Sequence, residues 1–315
     1  MTTDADVLIV GAGSAGLSAA LMLARSRRRV IVLDGGPPRN AAAAHMHGVL
    51  GRDGWSPVDL VATGRDEVLR YGATIEPQSA VSAVRDGSLF TVTLEDGTHR
   101  SARRLLIAGG LRDELPAITG LDEHWGSGVA HCPYCHGWEV RDSRIAVVAS
   151  GPASLHQVQL VRQLSPHVTY VVEGTELPEP DLAALVARGI GVETRRIASV
   201  LSVDGAVSGL RMHDGSELAI DAIFVRPRSI PADGLLHALG AASEAGPDDH
   251  AWISVDGTGR TSIPGLWAAG NVVNPSATVP VTAAAGSTAG AAINADLVHD
   301  EVQRALRANN PEKAK

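Results

Sequence analysis

A strand, a glycine-rich turn, a helix and a second strand ending in an acid constrain this chain more than anything else in it. Val7-Leu8-Ile9-Val10 is a continuous apolar run of strand length. Gly11-Ala-Gly-Ser-Ala-Gly16 follows at once, Leu17 to Ala24 reads as helix, and Val30-Ile-Val-Leu33 ends in Asp34. The pattern is G-x-G-x-x-G at the first turn of a β-α-β unit, with an acid about 20 residues further on. Gly11 allows the tight turn, Gly13 lets backbone approach a pyrophosphate, and Gly16 permits close helix–strand packing. The helix start at Ser14 and Ala15 then turns its free N–H groups toward phosphate. Asp34 is placed to accept hydrogen bonds from a ribose. A helix cap made of small residues would account for the glycines but not for the acid. A dinucleotide site is therefore expected.

The 315 residues leave room for roughly two domains. Hydrophobic residues make up 44% and charged residues 20%, which excludes wholesale disorder. Aromatics are only 3%, too few for a single-strand stacking platform, and the net charge of −8 argues against nucleic acid or an anionic membrane surface as partner. No apolar run approaches the roughly 20 residues of a membrane helix. The first residues lack the cationic and apolar regions of a signal peptide. A soluble, cytoplasmic protein is expected.

Further along, Thr74 to Leu94 alternates around Asp86-Gly87 as a small meander. Leu105-Leu-Ile-Ala108 runs into Gly109-Gly110. Ile145-Ala-Val-Val148, Gly151, a helical stretch to Gln163 and Val168 to Val172 make a second β-α-β unit. Another meander spans Gly191 to Val225, Gly265-Leu-Trp-Ala-Ala-Gly-Asn271 is a strand entering a tight turn, and a small-residue helix covers Ala283 to Leu297.

Only two cysteines are present, Cys132 and Cys135, which excludes a secreted disulfide framework. Their C-x-x-C spacing points to redox or metal chemistry. With His131 and His136 they could ligate zinc. One C-x-x-C without a second ligand pair makes a poor zinc site, so no metal is expected. A purely structural disulfide is equally out of place in a cytoplasmic protein.

Taken together, these residues resemble the low-molecular-weight thioredoxin reductase family. The resemblance covers nearly the whole chain: the first glycine motif, Ile107-Ala-Gly-Gly110, the C-x-x-C, the second nucleotide-fold motif, and Leu266-Trp-Ala-Ala-Gly-Asn271. His131-Cys-Pro-Tyr-Cys-His-Gly-Trp-Glu139, Leu33-Asp-Gly-Gly-Pro-Pro-Arg-Asn40, His45, His47 and Gly48 look like the FAD-dependent dithiol oxidases of gliotoxin, holomycin and romidepsin biosynthesis, the holomycin type above all. The resemblance implies an α/β fold of two Rossmann-like, three-layer nucleotide-binding domains. Residues 1–113 and 231–315 would form a discontinuous FAD-binding domain, with 114–230 as a pyridine-nucleotide-type domain carrying the cysteines.

The same resemblance implies FAD as cofactor, held at Gly11, Gly13, Ser14, Ala15, Gly16, Asp34, Gly35, Arg39, Asn40, His45, Gly48, Val84, Ala108, Gly109, Gly110, Gly270, Asn271, Val279 and Val281. Asn271 stands where thioredoxin reductases carry an aspartate on the ribityl chain. Cys132 would exchange with a substrate dithiol and Cys135 would lie against the flavin, with O2 as final acceptor giving H2O2. Thiolate chemistry near neutral pH needs a base. His136 takes the place of the aspartate acid/base of thioredoxin reductases, and His131 is the second candidate. A homodimer is implied as well.

Whether nicotinamide is used separates two enzyme readings. At the second motif the aligned positions are Ala149, Gly151 and Ser154, and a Cβ at a positive-φ first position costs about 1–2 kcal/mol. After the next strand, Val171-Val-Glu173-Gly-Thr-Glu176 offers carboxylates and no cation for a 2′-phosphate, although Glu173 could hold a ribose. A dithiol oxidase with no bound nicotinamide is thus the expected function. The alternatives are an NAD(P)H-dependent disulfide reductase and, in another class, a redox-sensing flavoprotein.

Overall fold

The computed structural model describes residues 3–151 and 153–309. The chain divides into two compact units, one of Met1–Arg39, Val58–Arg112 and Ser229–Lys315, the other of Asn40–Pro57 and Asp113–Arg228. The fold is α/β, with a Rossmann-like sheet in each unit.

In the first unit, seven strands run in the order Thr74–Glu76, Val30–Leu33, Ala5–Val10, His99–Ile107, Leu89–Leu94 and Ala80–Asp86, with Leu266–Ala268 also beside His99–Ile107. His99–Ile107 shares one of its edges: Ala102 faces Phe90 antiparallel, and Leu105 faces Leu266 in parallel. From Val7 to Val10 the Ala5–Val10 strand is apolar because both faces are covered. Val7 and Ile9 pack with Leu23, Trp267, Ile293 and Leu297, whereas Leu8 packs with Phe90, Leu105 and Leu266.

The helices Ser14–Arg25 and Val279–Asn309 meet through glycines. A Cβ on Gly286 would stand 1.9 Å from the Ala15 carbonyl oxygen, and one on Gly290 would stand 2.8 Å from that of Ala19. Backbone-to-backbone approach of this kind explains the small-residue composition of the later helix. That helix is longer at both ends than Ala283 to Leu297. Pro280 fits its first turn, where a missing N–H leaves no bond unmade. Its polar C-terminal half is tied down by Arg28–Glu301 at 2.5 Å and Arg103–Asp300 at 3.1 Å.

Two expected meanders are only partly so. Thr74–Glu76 adds in parallel to Val30–Leu33, and the antiparallel part starts at Ala80, after Pro77 has interrupted the ladder. In the second unit, Gly191–Glu193 and Ala222–Val225 belong to a five-stranded parallel sheet ordered Gly191–Glu193, Val168–Val171, Ile145–Val148, Ala222–Val225, Val129–Ala130. Only Ile197–Val203, Ala206–Met212 and Glu217–Ala219 form an antiparallel sheet. Short apolar runs carry no periodicity that tells a parallel partner from an antiparallel one. Among the described residues, no helix is long and apolar enough to cross a membrane.

Candidate redox site and cofactor cradle

The glycine turn of the first unit is shaped by contacts that only glycine allows. Gly11 has φ +107°, and a Cβ there would stand 2.3 Å from the Ala108 carbonyl oxygen. A Cβ on Gly16 would stand 1.8 Å from the Gly11 carbonyl oxygen, which is the close helix–strand approach expected of the third glycine. Gly13 differs: its φ is −81°, and a Cβ there would meet nothing within 4 Å. Gly13 also caps the Ser14–Arg25 helix without a side-chain hydrogen bond, and the first turn carries no acid. The helix start thus has neither a capping side-chain hydrogen bond nor an acid in its first turn, the condition for an anion there.

Around this turn the first unit gathers most of the expected cofactor residues. Asp34 lies at the end of its strand, ion-paired with Arg65 and accepting the Gly36 N–H at 3.3 Å. A carboxylate with two oxygens keeps lone pairs for a ribose. Gly35 lies close to Ser79, Ala108 donates its N–H to Val10 at 2.7 Å, Gly109 backs onto Ala232, and Gly110 has φ +70°. Gly270, at φ +84°, approaches Ala15, and Arg39 donates to the Pro275 carbonyl at 3.1 Å. Val279 starts the long helix, while Val281 and Val84 are exposed, Val84 at 62% on an edge strand. Asn271 donates its amide to the carbonyls of Asn274 at 2.9 Å and Ala277 at 3.0 Å. An aspartate has no donor for those bonds, which gives a physical reason for the departure from the family pattern.

Asn40, His45 and Gly48 lie in the segment that groups with the second unit. Asn40 accepts the Ala43 N–H at 3.1 Å, His45 Nδ1 pairs with the Gly54 carbonyl at 3.1 Å, and Gly48 donates to Asp53 at 2.9 Å.

Cys132 and Cys135 form a disulfide with their Cα atoms 5.2 Å apart. They follow directly on Val129–Ala130, at the carboxyl end of an edge strand of the second unit's parallel sheet. Pro133 opens a four-residue helix, and the N–H groups of Cys135 and His136 both bond the Cys132 carbonyl, at 3.1 and 3.2 Å. The turn is anchored from below: Gln157 donates to the His131 carbonyl at 2.6 Å, and the His131 ring stacks on Trp125 at 6.1 Å. A Cβ on Gly137 would meet the Pro133 oxygen at 2.4 Å, so the chain leaves the helix by a route that excludes side chains. Tyr134 and Trp138 stand out at 77% and 67% exposure.

His136 is half-buried, and both ring nitrogens are shielded without a hydrogen-bond partner among the described residues. Burial holds its imidazole below the ordinary histidine range, with Glu139 working against that shift and His47 with it. His47 Nε2 lies 3.3 Å from Glu139, and its Nδ1 lies 3.4 Å from Asp53. Sequence reasoning gave no role to Glu139 or Asp53, although Glu139 closes the stretch that begins at His131. Arg65 and Gln157 carried no signal at all.

The second nucleotide-type turn has changed its contents. The strain expected at Ala149 is absent, because Ala149 has no positive φ and Gly151 takes that conformation instead, at +138°. The fully buried Ser154 turns its hydroxyl inward to the Gly151 carbonyl and to Tyr170, the latter at 3.0 Å. Glu173, free to hold a ribose by sequence, instead accepts the Ile197 N–H at 2.9 Å. Arg196 runs over the same turn, its Cγ 3.1 Å from where a Cβ of Gly174 would be.

Residues 5–290 match the family described as pyridine nucleotide-disulphide oxidoreductase. The chain belongs to that family. It is an oxidoreductase of the thioredoxin reductase type, and its cofactor is FAD. The open Gly13 cradle and the uncapped helix start suit the dinucleotide's phosphates. Among solved structures the chain is similar to HlmI, with a TM-score of 0.93 at 44% identity, covering 98% of this chain and 97% of that one. Thioredoxin reductase tcpT of Claviceps purpurea is 33% identical, over 94% of this chain and 95% of its own length. Thioredoxin reductase sirT of Leptosphaeria maculans is 31% identical, over 92% and 93%.

Proposed function

We propose that this chain is a dithiol oxidase that closes an intramolecular disulfide in a small molecule. The observation that carries the reading is a Cys132–Cys135 disulfide followed directly by the half-buried His136, in a unit where Ser154 and Glu173 turn their polar groups inward to Tyr170 and the Ile197 N–H. The unit with the glycine cradle would be the FAD-binding domain, and the other would carry the cysteines without a bound nicotinamide. The resemblance extends the proposal to a homodimer acting in the cytoplasm.

A substrate thiolate attacks Cys132 Sγ, the Cys132–Cys135 bond breaks, and Cys135 leaves as a thiolate. The second substrate thiolate then attacks the substrate sulfur of the mixed disulfide and expels Cys132. Product leaves with its own S–S bond, and the enzyme pair is left reduced by two electrons. His136, next to Cys135, would accept one thiol proton at a time and pass it to the cysteine thiolate that forms. FAD, when bound, supplies a two-electron acceptor that O2 regenerates with release of H2O2. The aromatic faces of Tyr134 and Trp138, the latter under Arg141 at 4.3 Å, favour a flat ring in the substrate. Oxygen uptake with a panel of small dithiols tests the reading. One H2O2 per disulfide formed is expected, and a panel that drives no uptake above the buffer rate counts against it.

The neutral imidazole gives the pH dependence a sign. The folded state disfavours the protonated ring, so the unfolded chain takes up the proton first as pH falls. Stability is lost as pH drops through the unfolded value of about 6.5 and levels off below the folded one. The acid limb of turnover should lie below that same range. His136→Gln should lower the rate by about 10²-fold or more and remove the limb. A pH–rate profile with the limb unmoved in this variant would exclude His136 as the base.

A nicotinamide-dependent reductase is the second reading. Arg196 favours it, since its Cγ and Cδ lie against Gly174 and bring an arginine to a turn whose own residues offer no cation.

A further inference from the structure

Among the described residues, one cluster of ligand-type side chains outside the redox turn and the glycine cradle has no part in the proposed chemistry. Asp233, His237 and His250, all in the first unit, place one ligand atom each within 4.8 Å of one another. Asp233 is buried, and a single oxygen, Oδ2, faces both rings: His237 Nε2 at 3.1 Å and His250 Nε2 at 2.7 Å. The rings are held independently. His237 lies one turn after Asp233, its N–H bonded to the Asp233 carbonyl at 3.1 Å. His250 leaves the Pro247–Asp249 turn and sits edge-on to Trp252, centroids 5.6 Å apart.

Two imidazole nitrogens converging on one buried carboxylate oxygen form a half-built transition-metal site. A buried carboxylate is costly unless hydrogen bonds or a positive charge offset it, and here two ring nitrogens supply the hydrogen bonds. A divalent ion cancels the carboxylate charge and needs the same three atoms. Around a tetrahedral ion with bonds of about 2.0–2.1 Å, ligand atoms lie about 3.3 Å apart, so the two carboxylate–imidazole spacings of 3.1 and 2.7 Å would open by about 0.2 and 0.6 Å. On binding, each ring would coordinate through Nε2 and carry its proton on Nδ1 instead. Both rings are partly exposed, which gives an ion and a fourth, water ligand a way in. We infer that Asp233, His237 and His250 bind one zinc ion per chain, pinning the Gly234–Ala238 helix to the Ala251–Ile253 strand. The expectation of no metal rested on ligand spacing around the cysteines; these three ligands share no such spacing.

The test is equilibrium dialysis of the metal-stripped flavoprotein against Zn2+, with the cysteine pair oxidised so that it cannot compete. Expected are one zinc per chain and a zinc-dependent rise in the midpoint of thermal unfolding. His237→Gln and His250→Gln should each fold, keep their flavin, and bind zinc about tenfold more weakly or worse. No saturable binding by the parent overturns the inference. So does either variant binding zinc as the parent does, because the ion would then sit elsewhere.

Discussion

Replacing Cys135 by serine is expected to give a yellow protein that turns over no dithiol. The local structure tolerates the change, because the bonds that shape the turn run from backbone N–H groups to the Cys132 carbonyl and involve no sulfur. Serine fits the space and keeps the four-residue helix. What is lost is the Cys132–Cys135 bond, the only electrophilic sulfur pair the chain can offer. An incoming thiolate then finds a free thiol at Cys132 and nothing to displace. Turnover should fall by about 10³-fold or more, as when a nucleophile is removed from a unit that works together. Flavin content, read from the visible band of the purified protein, should match the parent. Dithiol oxidation at the parent rate in this variant would mean that the flavin, not the disulfide, meets the substrate.

Gly11→Ala should have an effect as large, but on the fold. The added Cβ meets two obstacles at once: a φ of +107° that side chains rarely adopt, and the Ala108 carbonyl oxygen at 2.3 Å. Neither obstacle is a flexible side chain that can swing away. Backbone strain of about 1–3 kcal/mol and overpacking of a similar size add to about 2–6 kcal/mol, against a total stability of about 5–15. Low soluble yield, little flavin and a lowered urea midpoint are expected. Gly13→Ala is the contrast. Its backbone is ordinary and its Cβ would meet nothing within 4 Å, so it should unfold like the parent and lose only flavin affinity. Equal midpoints for the Gly11 variant and the parent would contradict this account of the turn.

Much of the fold was legible because its strongest signals are local. The fully apolar Val7–Val10 run, the three glycines and Asp34 each have a direct steric or electrostatic cause, and the structure places them side by side. Partner choice was not legible: Thr74–Glu76 and Gly191–Glu193 each pair in parallel with a neighbouring strand, and nothing in three residues reports that. At the redox turn the cysteine pair could be read from its spacing, while His131 and His136 entered as candidates through adjacency and the family resemblance. The Glu139–His47–Asp53 chain could not, since its members meet only through tertiary packing. The carboxylate of Glu173 reads the same in sequence whether it faces a ribose or, as found, the Ile197 N–H.

The source of the electrons decides the central claim, and anaerobic mixing measures it directly. The purified protein is mixed in separate shots with a small dithiol, NADH and NADPH while the flavin band is followed. Loss of the yellow band at catalytic rates with the dithiol, and no comparable loss with either nicotinamide, is the predicted result. Rapid bleaching by NADH or NADPH, with the dithiol inert, would contradict it and make this chain a reductase.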